Sequence, residues 1–166
     1  MKPSEILERS RMAAIRMNAI DDEIRDLHDR IGVQGHTYGF HGKNDIRDPM
    51  RHVDEMLDGT VELEMEKREC MRDVCEATLV IDGLRALDES KSLMTDCEYV
   101  LSEYYIYAKD MDEVAKGAGQ PVGLTRMLVR EALTICDNVG MAGLMAARKR
   151  KSIELRRKVR ELGGFN

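Results

Sequence analysis

"DEVAKGAGQPVGLTRMLVREAL", residues 112–133, crowds Gly117, Gly119, Pro121 and Gly123 into seven residues between two stretches of helical patterning. Its reading decides whether the C-terminal half is a plain bundle or a pair of helices bent at a tight corner. Val114 and Ala118 are spaced to face inward from the first helix, and Leu124 and Leu128 from the second. Ala115 and Gly119 lie four apart. A small side chain one turn before the corner lets the second helix cross closely, and a glycine at the corner reaches positive φ. The spacing therefore predicts a helix-turn-helix, with Val122 and Gly123 opening the second helix. Asp110-Met111-Asp112-Glu113 fits a capping box that starts the first helix, which runs to about Ala118.

On either side the patterning stays helical. Thr95-Asp96-Cys97-Glu98 is a second capping box, opening a helix that carries Tyr99, Val100, Leu101, Tyr104, Tyr105 and Ile106 and ends near Lys109. The tyrosines at 99, 104, 105 and 107 are expected to fill a small core rather than to stack on bases. After the corner, Leu124, Leu128, Ala132, Leu133 and Ile135 mark a helix to about Asp137. Gly140 and Gly143 then loosen the chain before a final helix, residues 144–162, on which Leu155, Val159 and Leu162 share a face.

The N-terminal half has a different character. Ala13, Met17, Ile20, Ile24, Leu27 and Ile31 alternate spacings of four and three, which predicts one coiled-coil-type helix over about residues 5–31. Glycines at 32, 35, 39 and 42 make the next segment a loop. Asp48 and Pro49 read as an N-cap and a first helical proline. From there Val53, Met56, Thr60, Leu63, Lys67, Cys70, Val74, Ala77, Ile81 and Leu84 keep the alternation. A helix over residues 49–87 would be roughly 57 Å long. Lys67 lies in its seam, where a charge fixes register or oligomeric state, and Gly59 and Gly83 weaken it locally. The expected fold is all-α: antiparallel coiled helices over residues 1–90, a helix-turn-helix over 91–140 and a basic terminal helix over 141–166. The long helices are the expected oligomerisation element, giving a homodimer or a higher homo-oligomer.

Composition bounds the function. Aromatic residues are only 4% and charged residues 34% of the 166, as in long amphipathic helices with wet outer faces. No apolar run is long enough to cross a bilayer and no signal-peptide pattern opens the chain, so no membrane partner is expected. Cys70, Cys75, Cys97 and Cys136 lack CxxC or disulfide-framework spacing, which suits a reducing cytoplasm. The net charge of −5 excludes a chain that binds nucleic acid over its whole surface, but the charge is uneven. Residues 141–166 hold eight Lys or Arg against Glu154 and Glu161, a net of +6, which leaves −11 on residues 1–140. Enzymatic signatures are missing: no phosphate-cradling glycine loop after a strand, no nucleophile elbow, no HExxH. His36, His41, Asp45 and His52 match no zinc spacing, so neither metal nor cofactor is expected.

The segment "MDEVAKGAGQPVGLTRMLVREAL" resembles the helix-turn-helix in the promoter-reading C-terminal region of sigma factors, and "YVLSEYYIYAKD" before it resembles the helix that packs on that motif. The layout as a whole is similar to phage-encoded sigma-like regulators of the ArpU and RinA kind. The specific part of the resemblance covers residues 95–137. It implies a DNA-binding regulator of phage or prophage transcription with double-stranded DNA as its partner, and an accessory factor that docks on RNA polymerase is a further reading between this one and an adaptor. Arg126 and Arg130, four apart on one face, are the candidates to grip guanine or phosphate, with Gln120 assisting at the turn. Thr125, which stands where the family usually buries Val or Ile, is grouped with these DNA-facing candidates. Independently of the resemblance, Arg148, Lys149, Arg150 and Lys151 are the candidate phosphate-holding cluster, seconded by Arg156, Arg157 and Lys158. The alternative is a helical adaptor, such as a DNA-packaging component, whose motif docks protein or reads no sequence.

Overall fold

The computed structural model describes residues 1–34, 49–87 and 92–161. Among these residues there is no strand, and the chain is all-α: α1 Pro3–Gln34, α2 Pro49–Arg85, α3 Ser92–Leu101 running on into a π-helical turn Ser102–Ile106, α4 Met111–Ala118 and α5 Val122–Glu161. α1 continues to Gln34, past the Gly32 where the sequence predicts its end, and the rest of the predicted loop lies outside the described residues. His36, His41, Asp45 and the Asp48 cap fall outside the described residues.

α1 and α2 form an antiparallel hairpin on the stripes read from the sequence. The Arg16 guanidinium donates to both Glu66 carboxylate oxygens at 2.7 and 2.9 Å, Arg9 Nε lies 3.0 Å from Asp73, and Lys67 pairs with Asp21. Lys67 thus answers for its place in the seam by gripping an acid of the facing helix. Along α2 the inward positions Met56, Thr60, Leu63, Lys67, Cys70 and Val74 are half-buried, whereas Ala77, Ile81 and Leu84 are buried. The base of the hairpin belongs to the core; its far end is a two-helix arm.

The core is common to all five helices. Ile6 and Leu7 from α1, Val80 and Leu84 from α2, and Val100 and Leu101 from α3 meet Val114 of α4 and Leu128, Ala132 and Leu144 of α5. Gly83 makes one of these meetings possible. A Cβ there would sit 2.7 Å from the Leu144 Cβ and 3.0 Å from its carbonyl oxygen, so α2 and α5 cross backbone against backbone. Ser4 ties the start of α1 to α5: its backbone N–H and its hydroxyl donate to Asp137 at 2.9 and 2.7 Å. Partial burial opposes ionisation of Asp137, but the Ser4 hydrogen bonds outweigh it and hold the carboxyl below its usual range.

The π-helical turn is where α1 grips the C-terminal half. A widened turn frees carbonyls from the i to i−4 ladder, and α1 side chains collect them. Arg11 donates to the carbonyls of Tyr104 and Lys109, and the Ser10 hydroxyl donates to that of Tyr105 at 3.4 Å. The Arg11 guanidinium also lies 3.9 Å above the Tyr104 ring. Tyr105 is buried and its hydroxyl donates to Glu8 at 3.0 Å. Of the four tyrosines expected in the core, Tyr105 is there and Tyr104 is half-buried, but Tyr99 and Tyr107 are 39% and 64% exposed.

Several boundaries differ from expectation. α3 begins at Ser92, so Thr95 lies inside a helix and does not cap one. Asp110 does occupy the N-cap of α4 in extended conformation, but its carboxylate caps no backbone N–H and instead reaches Arg11 at 3.8 Å. The expected gap between Asp137 and residue 144 shrinks to a single break at Gly140, φ 67° and ψ 166°, a conformation reserved almost wholly for glycine. Gly143 is helical. The cysteines are all free, and burial with the neighbouring Asp137 pushes the Cys136 thiol up to about 12, which keeps it protonated and inert.

Candidate nucleic-acid interface

The corner has the compactness that its glycines imply. α4 ends on Gly119 in the left-handed conformation, φ 64° and ψ 28°. The Gly119 N–H donates to Lys116 O at 3.2 Å and the Gln120 N–H to Ala115 O at 3.0 Å, which closes the helix with its last carbonyls satisfied. Three residues, 119–121, then make the connection, and α5 starts at Val122. Pro121 O accepts from the backbone N–H and the hydroxyl of Thr125, at 3.1 and 3.2 Å.

Val114 and Ala115 are buried on α4, and Thr125, Leu128, Val129, Ala132 and Cys136 on α5. This inward stripe corrects two expectations. Leu124 is 39% exposed rather than core, because the inward direction of α5 passes through Thr125 and Leu128. Thr125, grouped with the DNA contacts, has no exposed surface, and its hydroxyl is spent on Pro121 O. It holds the first turn of the helix and touches nothing outside.

Arg126 and Arg130 are both exposed, and the described residues place no carboxylate in an ion pair with either. They stand one turn apart on the side of α5 away from the core, with exposed Gly123 and Met127 between and beside them. Gln120 is half-buried, and its side-chain oxygen is buried without a hydrogen-bond partner. It sits in the corner rather than in front of it. Lys116, in the last turn of α4, is exposed beside the turn, and sequence reasoning passed over it. Its signal was its offset of two from Val114, which sends it outward.

Beyond the Gly140 break, Leu144 and Ala147 hold α5 to the core, and residues 152–161 are exposed all round. Arg148, Lys149 and Arg150 are exposed and Lys151 is half-buried. Arg148 lies 3.5 Å from Asp82 of α2, so part of its charge is already answered. Further on, Lys158 pairs with Glu154 at 3.1 Å and Arg157 with Glu161 at 3.3 Å. Such exposed pairs exchange readily with phosphate. Leu155 and Val159 are 61% and 55% exposed and meet no core.

Among the described residues no group of three or more His, Cys, Asp or Glu is arranged to hold a metal ion, and no helix is long and apolar enough to cross a membrane. Compared with family models, curated proteins and solved structures, the chain finds no match.

Proposed function

We propose that the protein is a DNA-binding transcriptional regulator of the phage type, in which the first half of α5 reads DNA and its basic end holds phosphates. The observation that carries this reading is the exposed pair Arg126 and Arg130 at the start of a helix that a three-residue corner turns away from α4. Two guanidinium groups one turn apart suit guanine edges or adjacent phosphates. The cluster at 148–151 adds a sequence-blind attraction.

Selection from random duplexes at physiological salt tests this reading. A sequence that survives competition and is enriched over several rounds supports a reader; retention without enrichment removes base recognition.

A second reading draws on one observation. Leu124 and Met127, 39% and 54% exposed, flank the arginines on the outer face of α5. An apolar rim beside guanidinium groups also suits a protein surface, whether RNA polymerase or a neighbour in a helical packaging assembly. On that reading the protein binds its partner without DNA and random duplexes yield no consensus.

A further inference from the structure

α1 packs on one face of α2; over residues 57–75 the face next to it is left exposed by the described residues. Leu57, Val61, Met65 and Met71 are 52%, 57%, 58% and 45% exposed, and Cys75 is exposed as well. Residues 57, 61, 64, 68, 71 and 75 alternate spacings of four and three, the rhythm of a coiled-coil seam, roughly 100° round the helix from the seam that meets α1. α2 therefore carries two seams over the same length, and one is occupied.

The free seam reads alike from both ends. Lay two copies of α2 antiparallel about a two-fold axis beside residue 66. Leu57 of one then meets Cys75 of the other, Val61 meets Met71, and Glu64 meets Arg68. On the flank Asp58 faces Arg72, and Met65 lies against its own copy. Glu64, Arg68, Asp58 and Arg72 are all exposed. The acids stand in the N-terminal half of this face and the bases in the C-terminal half, so a parallel in-register pair would set like charge against like. Only the antiparallel arrangement neutralises both ends at once. A surface complementary to itself under a two-fold is what an isologous dimer requires.

We propose that this outer face of α2, centred on residue 66, is a homodimer interface that joins two α1–α2 hairpins antiparallel. It gives the regulator reading its dimer, yet it stands or falls without DNA. The apolar pairs exclude water over about 27 Å of helix, from residue 57 to residue 75, and the Glu64–Arg68 and Asp58–Arg72 pairs fix direction and register.

Sedimentation of the full chain, free of DNA, tests the interface. Glu64→Arg alone faces bases with bases, and Arg68→Glu alone faces acids with acids. Each is expected to weaken self-association at least tenfold while leaving the circular dichroism unchanged, since both positions are exposed. Mixing the two variants is expected to restore a one-to-one dimer, because every cross-pair is then opposite in charge. As a second measurement, Met65→Cys in a Cys75→Ser background is expected to give a covalent dimer under mild oxidation. A wild-type chain that stays monomeric at tens of micromolar, a dimer indifferent to both charge reversals, or a mixture no tighter than its components overturns the proposal. So does the absence of the cross-link.

Discussion

Among the described glycines, Gly119 and Gly140 alone hold a positive φ, a backbone that other residues resist. At Gly140 the backbone is in a region that costs an L residue about 1–3 kcal/mol. Gly140→Ala is expected to lower the urea-unfolding free energy by that amount. Gly123 lies on the exposed side of the first turn of α5 with nothing within 4 Å of a Cβ, so Gly123→Ala is expected to stabilise by about 0.5–1 kcal/mol. The same denaturation curves check both, and a common sign for the two would contradict the assignment. The sequence marks all these positions as breakers without ranking them. Gly119 was legible because Ala115 and a following proline frame it. Gly83 was not: it reads as a flaw in α2, and its reason is Leu144, which only the tertiary fold brings against it. Thr125 misled for a related reason. A hydroxyl beside two arginines looks like a contact until the helix phase turns it onto Pro121 O.

At the scale of elements, the crossing of α2 and α5 is the contact least able to yield. A methyl group at Gly83 meets backbone rather than a side-chain tip, so Gly83→Ala is expected to cost about 1–3 kcal/mol and to loosen the helix that carries the basic cluster. The Ser4–Asp137 link is weaker and depends on pH. Asp137 ionises at lower pH folded than unfolded, so its contribution is complete above about 3.9, the ordinary Asp value, and is lost as the pH falls through the lower folded value. Ser4→Ala is expected to cost about 1 kcal/mol at pH 7. Its deficit relative to wild type should shrink as acid protonates Asp137, and a deficit that does not change with pH would show that packing, not the carboxylate, is at work. The hairpin stripes were readable because two long helices with one buried face each repeat the same rhythm many times over. The starts of α3 and α4 were less so. Thr95 and Asp110 have the right chemistry for caps, but α3 is already helical at Ser92 and the Asp110 carboxylate turns to Arg11.

For the molecule as a whole, an acidic body and a basic helical end make a polar object, and the salt dependence of binding should reflect the end alone. Neutralising Arg148, Lys149, Arg150 and Lys151 together is expected to weaken binding to all duplexes alike and to flatten the slope against salt concentration. If two hairpins pair about residue 66, the C-terminal ends of α2 at Leu84 lie roughly 54 Å apart along its axis. The readers then meet DNA more than one turn apart, and the enriched site should be an inverted repeat with that spacing. The all-α class and the order of helices could be read from the sequence because each helix declares its own apolar face. How the two halves share one core could not, since Ser10, Arg11 and the π-helical turn meet only after folding.

Base reading by α5 is tested most directly by titrating wild-type protein and its Arg130→Ala variant against the selected duplex and a scrambled one at the same salt. Loss of about 1–3 kcal/mol on the selected duplex, with affinity for the scrambled one nearly unchanged, is the expected result. Equal loss on both would make Arg130 a phosphate contact, and no loss on either would take the outer face of α5 out of DNA binding altogether.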